Sequence, residues 1–300
     1  MSVIHCKLPN AGLGNQLFPI VNAYYFSKLN SLPVIVSGYH RVKIGPYLRG
    51  EKSKRKYSNY FTFQKGLIGA WLDARRLKNH SKYKLVKDPV LEKIASSEDS
   101  CIYEFNAIPH WSDYFAQFKN HRKEIIEIFY SLIRKEILNE AMSLQAPCVG
   151  VHIRMGDFRK LQAGEDFAKS GAVRTPETYF IEMIKAIREI NGSNLPVSVF
   201  TDGYRSELKD LLSLDNVTMI EGNRDIVDML LLSRSKIIVT SAGSTFSYWS
   251  AFLADVPVVR HSDHLHQPIR PLSVNAKYYE GPLLVKEVNS LLADNIRAIK

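Results

Sequence analysis

The sequence predicts an α/β protein built on parallel sheets, and three observations carry that reading. The chain opens on an apolar run, a glycine loop, a helical stretch and a second apolar run, the order of a βαβ unit. Its second half alternates short apolar runs with helix-spaced segments, as expected of a parallel sheet covered on both faces. Its 300 residues, 45% of them hydrophobic, supply a large core and enough length for two domains.

In the first half, Val3 to Leu8 reads as a strand, the loop through Gly12-Leu13-Gly14 follows, and Asn15 to about Lys28 reads as a helix. Ser31-Leu32-Pro33 breaks it, and Val34 to Val36 is a second buried strand. The stretch from Arg41 to Lys87 has too little periodicity to assign. From Arg122 to Leu138, apolar residues at Ile125, Ile126, Phe129, Ile133 and Ile137 recur at helical spacing. Pro147 punctuates the chain, and the expected boundary near Leu144 gives domains 1–144 and 145–300.

The second half is more regular. Strands are expected at Cys148 to Ile153, Val197 to Thr201, Val217 to Ile220, Ile237 to Thr240 and Val256 to Val259. Helices are expected from Thr175-Pro176 to about Ile190, from Tyr204 to Leu214, from an Asn223 cap to Ser233, and from Ser244 to Ala254.

The formal net charge of +10 is unevenly placed. Between Arg41 and Lys87 stand 14 Lys or Arg against Glu51 and Asp73 alone, with Trp71 and several Tyr and Phe interleaved, so the rest of the chain is close to neutral. A solvated basic face is one reading. The other is a dock for anionic lipid headgroups, each basic residue contributing about 1 kcal/mol. No nucleic-acid motif accompanies the charge, so nucleic acid is not an expected partner. No run approaches the roughly 20 apolar residues of a membrane span, and the first residues do not have the pattern of a signal peptide. The expected location is the cytoplasm, where Cys6, Cys101 and Cys148 would stay reduced.

In open parallel sheets, ligands bind at the carboxyl ends of strands. Three polar clusters occupy such ends: His152, Arg154 and Asp157; then Thr201 and Asp202; then the run Ser241-Ala242-Gly243-Ser244-Thr245-Phe246-Ser247. The last is a small-residue turn opening a helix, which suits a phosphate, although Ser and Thr there also serve as plain caps. The fork of donors on Arg154 suits a diphosphate. His152 and Asp228 offer the complementary edges a guanine would need, or are simply a core histidine and a helix-face carboxylate. The Gly12-Leu13-Gly14-Asn15 loop lacks the full dinucleotide fingerprint. No DxD motif is present, and the His261 to His266 loop lacks a helical His pair, so no metal is expected.

These residues resemble a known family. Ala11 to Phe18 is similar to the GGLGNQLF opening of bacterial α-1,2-fucosyltransferases, and Val151 to Phe158 to their HIRRGDY element. Asp228 to Trp249 resembles their block ending in S-T-F-S-W-W, and Ile108 to Phe115 an aromatic GYWQSEKYF segment. The resemblance runs from about residue 3 to 260, in the family's order. It implies a GT-B fold, two Rossmann-like domains facing across a cleft with the nucleotide-sugar on the second. It also implies metal-independent, inverting transfer of fucose from GDP-β-L-fucose to a hydroxyl, O2 of a galactose, of a glycan in bacterial surface polysaccharide (O-antigen) synthesis. Arg154 would bind the diphosphate, His152 and Asp228 the guanine, and Ser244 and Thr245 would complete the phosphate cradle. Asn15 and Gly14 would serve the cleft from the first domain, Asp202 would be a nucleotide or cleft contact, and Asp157 the general base or the orienter of Arg154, with His110 and Asp113 as alternative bases.

Two departures from the family pattern stand out: Met155 replaces the second arginine of HIRRGD, and Thr201-Asp202-Gly203 replaces the acidic pair of the middle motif. They keep a different nucleotide-sugar, or a non-catalytic relative that binds GDP, open as rival readings. The acceptor could be carried on a lipid diphosphate, with the basic segment holding the enzyme at the inner face of the membrane.

Overall fold

Val3, Ile4 and Cys6 are buried and lie in the first strand, β1 (Val3–Lys7), of a computed structural model of the chain. The structure describes residues 2–41, 44–57, 59–79, 82–94, 100–264, 266–271 and 276–300. β1 leads into α1 (Leu13–Asn30), whose first fourteen residues are almost all buried because apolar side chains occupy nearly every side of it. β2 (Val34–Ser37), a single turn α2 (Gly45–Leu48), α3 (Leu67–Asn79), β3 (Lys84–Lys87), β4 (Cys101–Phe105), α4 (Arg122–Leu132) and α5 (Lys135–Ser143) follow. The first sheet has the order β2-β1-β4-β3, every pair parallel.

The single helix expected from Arg122 to Leu138 is two helices. Ile133 is extended (φ −81°, ψ 139°) and bridges Phe61 in antiparallel fashion. Arg134 then donates to the carbonyls of Phe61 and Gln64, at 3.1 and 2.9 Å. Tertiary pairing of the backbone thus overrides a correct helical period.

By internal contacts the chain forms two units, Met1–Lys43 with Arg55–Leu138, and Ile44–Lys54 with Asn139–Lys300. The short excursion 44–54 belongs to the second unit: Lys52 Nζ donates to Glu221 at 2.7 Å, and Tyr204 Oη to the Gly50 carbonyl at 2.8 Å. Lys43, part of the basic segment, lies outside the described residues.

The second unit contains β5 (Val149–Ile153), α6 (Glu177–Asn191), β6 (Val197–Thr201), α7 (Lys209–Leu212), β7 (Val217–Met219), α8 (Asp225–Ser233), β8 (Ile237–Val239), α9 (Thr245–Leu253), β9 (Val258–Val259), β10 (Glu280–Gly281) and α10 (Ser290–Arg297). The expected helix from Tyr204 is a 3-10 turn, where the Tyr204 amide donates to the Glu207 carboxylate at 2.9 Å, followed by the short α7. Asn223 does not cap α8; Arg224 occupies that position and the Asn223 amide donates to Asp228 at 2.9 Å. The strands order β10-β9-β8-β5-β6-β7, all parallel. Read from β7, this is the doubly wound nucleotide-binding order, with its switch point between β5 and β8.

Each face of this sheet has its own helices. Val149, Val151, Ile153 and Met155 pack into a core shared with Phe180, Ile184 and Ile187 of α6 and Leu292 and Ile296 of α10. Residues of the other parity point to α8 and α9: a Cβ on Gly150 would stand 2.7 Å from Leu232 Cδ1 and would also press on the Ser235 side chain. Gly150→Ala is therefore expected to lower stability by about 1–3 kcal/mol, the usual cost of overpacking. Urea unfolding followed by circular dichroism measures it, and an unchanged midpoint would contradict this packing.

Candidate functional site

The site lies at the carboxyl ends of β5, β6 and β8, around the switch point. Arg154 follows β5 directly. Its Nη1 donates to Asp202, at the end of β6, and its Nη2 to Asp157 at 2.5 Å. The other Asp202 oxygen accepts the amides of Met155 and Gly156 at 2.8 and 3.1 Å. Asp202, weighed in the sequence as a ligand contact, here fixes the loop that carries Arg154. Charge-assisted bonds of this kind are short and directional, so they set the guanidinium's orientation.

Ser241, just beyond β8, joins that strand end to β5. Its Oγ accepts the Arg154 amide at 2.8 Å and donates to the His152 carbonyl at 3.0 Å. The backbone of Arg154 and the turn leading to α9 are therefore linked through one hydroxyl. Within the turn, the amide of Ala242 is taken by Thr175 Oγ1 at 3.0 Å and that of Gly243 by Tyr248 Oη at 2.9 Å. Gly243 has φ +67°, a conformation that favours glycine. The first helical bond runs from the Tyr248 amide to the Ser244 carbonyl at 3.1 Å. Ser244 is the cap residue, but its hydroxyl makes no capping bond, so the amides of Thr245, Phe246 and Ser247 face the helix entrance. Amides and a positive dipole end suit an anion, and the Arg154 guanidinium, directed by Asp202 and Asp157, stands at the end of the neighbouring strand β5.

On the α8–α9 face, His152 stacks on Phe246 with ring centroids 4.8 Å apart and 20° between planes. Its Nδ1 is buried and has no partner among the described residues. Burial pushes this imidazole down to about 3, with Asp202 opposing and Arg154 adding to the shift. Asp228, in the first turn of α8, moves the other way. Burial pushes its carboxyl up to about 7, against the Asn223 hydrogen bond. The pair thus offers a neutral imidazole and a carboxyl that titrates near neutrality.

Gly14 and Asn15 lie in the first turn of α1, in the first unit. The Asn15 Oδ1 is buried without a partner among the described residues, and Pro19 removes the helical bond that would return to the Asn15 carbonyl. Also in that unit, Asp113 is held by Lys119 at 2.7 Å and His110 by Ser112 at 2.7 Å. No group of three or more His, Cys, Asp or Glu that could hold a metal ion occurs among the described residues, which exclude Leu265 of the His261 to His266 loop.

The two positions that depart from the family motif are in contact. Met155 is buried in the α6-side core, and a Cβ on Gly203 would stand 2.6 Å from Met155 Cγ. Apolar packing of Met155 over a glycine occupies the place where the motif has an arginine and an acid.

Thr175 and Tyr248 carry no site signal in the sequence, and Phe246 stands in the Ser241 to Ser247 run without a role of its own. Their contribution comes through contacts over distance in the chain or within a helix start; the stacking partner of His152 had only the S-T-F motif as its signal.

Comparison with known proteins identifies the family and the fold. The profile described as glycosyl transferase family 11 matches residues 13–260. The chain belongs to glycosyl transferase family 11. It is 29% identical over 269 residues to an α-1,2-colitosyltransferase of Escherichia coli, covering 84% of this chain and 88% of that protein. Among solved structures, the fucosyltransferase NodZ from Bradyrhizobium superposes with a TM-score of 0.50 at 14% identity, covering 88% of this chain and 97% of that one. NodZ α-1,6-fucosyltransferase co-crystallised with GDP gives 0.50 at 14%, over 87% and 95%. The fold is GT-B, and the family member is a glycosyltransferase.

The carboxyl of Asp228 yields a pH prediction. Its folded pKa of about 7 lies above the ordinary aspartate value of 3.8. It therefore contributes stability that is fully present below pH 3.8 and is lost as pH rises through 7. Asp228→Asn removes this penalty, so the stability of the variant relative to the wild type should increase from pH 4 to pH 7 and then level off, by at most a few kcal/mol, at ~1.4 per pKa unit. Urea melts across that range test it, and a constant difference would place the carboxyl in a more solvated setting.

Proposed function

We propose that this chain transfers L-fucose from GDP-β-L-fucose to a hydroxyl of a galactose-containing glycan, O2 by the family pattern, with inversion and without a metal ion. The observation that supports it most is the joining of Arg154 to the entrance of α9 through Ser241. In the transfer, the acceptor oxygen bonds to the anomeric carbon while the bond from that carbon to the diphosphate oxygen breaks, leaving its electron pair on the phosphate. On this reading the guanidinium and the amides of Thr245 and Phe246 would stabilise the growing charge, a preorganised role elsewhere given to a cation. The Asp228 carboxylate would accept from the two donors on the guanine edge, and neutral His152 would offer one donor and one acceptor. The acceptor hydroxyl passes its proton to a base.

Asp157 has two candidate roles, and its bond to Arg154 favours orientation of the guanidinium. A second reading of the donor is motivated by the colitosyltransferase relative: colitose is L-fucose lacking the 3-hydroxyl, so its GDP-sugar belongs in any donor screen. Nucleoside diphosphate release should be measured with GDP-fucose, its 3-deoxy analogue, GDP-mannose and UDP-galactose, over galactose-terminated oligosaccharides. Turnover is expected with GDP-fucose or its 3-deoxy analogue; turnover confined to a UDP-sugar would end the proposal, and GDP binding without turnover would indicate a non-catalytic relative. Arg154→Ala should lower kcat/KM by about 10²–10³ or more. Asp157→Asn keeps an acceptor for Arg154 and should stay within about tenfold of wild type, whereas a proton-accepting role would cost about 10²–10⁴.

The proposal includes peripheral contact with an anionic membrane, in the setting of surface-polysaccharide synthesis on a lipid-borne acceptor. No helix among the described residues is long and apolar enough to cross a membrane. On α3, however, Ile68, Trp71 and Leu72 are 79%, 58% and 46% exposed and share one face by their spacing. Arg75 and Arg76 follow one turn on, the Arg75 guanidinium 5.6 Å over the Trp71 ring. A basic helix with an exposed aromatic and aliphatic stripe suits the bilayer interface. Sedimentation with vesicles of phosphatidylcholine and phosphatidylserine should show salt-sensitive binding that Trp71→Ala together with Arg75→Ala removes; equal binding to neutral vesicles, or none, would refute it.

A further inference from the structure

The crevice between β5 and β8 has a second built surface, on the side of the sheet opposite to His152 and Asp228. Val259 packs into the α6-side core, and His261, two residues on, has the same parity. Its ring lies 4.5 Å from that of Tyr179 in the first turn of α6 and 4.7 Å from Phe167, which stands 5.0 Å from His264. Phe167 also packs with Val173 against Ala242, the residue of the anion-binding turn whose amide Thr175 holds. The cluster therefore abuts the turn itself.

Two polar atoms in this cluster are unpaid: Tyr179 Oη and His264 Nε2 are buried and have no hydrogen-bond partner among the described residues. Leaving such atoms unpaired costs about 1–3 kcal/mol each, so their retention beside a ligand crevice points to a polar ligand. Burial lowers the pKa of both His261 and His264, which keeps each ring neutral, with one donor and one acceptor. The loop carrying the two histidines is fixed at its base. Glu280 accepts the amides of Ile269 and Arg270 at 2.7 and 3.2 Å, and Arg260 donates to the His266 carbonyl at 2.8 Å.

We propose that Phe167, Tyr179, His261 and His264 seat the sugar of the donor, the phenyl ring against its C–H face and 6-methyl group, and Tyr179 Oη and His264 Nε2 on its hydroxyls. Base and sugar are attached to opposite ends of one diphosphate. With the base on the α8–α9 face and the diphosphate over the turn, the sugar leaves toward α6. The assignment rests on the GDP-sugar reading above and names the residues that select among such donors.

Kinetics on Tyr179→Phe, His264→Ala and Phe167→Ala separate the two. For each, kcat/KM for GDP-fucose is compared with the Ki of GDP as a product inhibitor, which senses base and diphosphate but not sugar. Tyr179→Phe and His264→Ala should lower kcat/KM by about tenfold or more with Ki within about twofold of wild type. Phe167→Ala should narrow the preference for GDP-fucose over GDP-L-galactose, its 6-hydroxylated counterpart. Parallel changes in Ki and kcat/KM, or unchanged kcat/KM in both polar variants, would overturn the sugar seat. Absence of GDP inhibition in the wild type would instead overturn the donor reading. Should His264→Ala not fold, Tyr179→Phe, which removes one oxygen, decides the matter alone.

Discussion

The geometry of the site depends on the carboxylate of Asp202. One side chain at the end of β6 accepts the Arg154 guanidinium and two consecutive amides of the loop after β5. Without it, the loop would have two unsatisfied amides and the guanidinium would lose one of its two carboxylate partners. Ser241 performs the matching task from β8, fastening the backbone on both sides of Ile153. Three strand ends are thus tied into one rigid rim, and rigidity there matters because electrostatic stabilisation of a leaving group works only if the dipoles need not reorganise.

That rim has different surroundings on its two sides. Toward α8 and α9 it meets a stacked imidazole–phenyl pair and a carboxyl that titrates near neutrality. Toward α6 it meets an aromatic cluster with hydroxyl and imidazole groups. The strict alternation of side chains along β5 separates them: Val151 and Ile153 pack toward one set of helices, and Gly150 and His152 point to the other. A parallel sheet covered on both faces can in this way divide one elongated ligand between two chemically distinct walls.

Much of this arrangement was legible in the sequence. The five expected strands of the second half appear within about two residues of their expected bounds, because buried parallel strands are near-continuous apolar runs bounded by turns. Arg154, Asp157, Asp202 and the Ser241 to Thr245 turn are brought together as the strand-end rule requires. What escaped has physical reasons. β10 is two residues long, too short for any period to register, and α3 and β3 lie in a segment where charge outweighs apolar patterning. The break at Ile133 and the joining of 44–54 to the second unit are decided by partners far along the chain. Asp202 reads as a free carboxylate in sequence, since nothing local announces the two amides that claim it. The Met155 and Gly203 substitutions look like two independent losses until their contact is seen.

The double clasp on Arg154 also fixes the local balance of charge. Two carboxylates face one guanidinium, so the trio holds two formally negative groups against one positive group. On the proposed reading, an arriving diphosphate meets the repulsion of two acids together with the pull of one arginine, and the remaining attraction has to come from the uncharged amides at the entrance of α9. Such a site would favour an extended polyanion reaching both the arginine and the helix start over a small anion resting on the arginine alone.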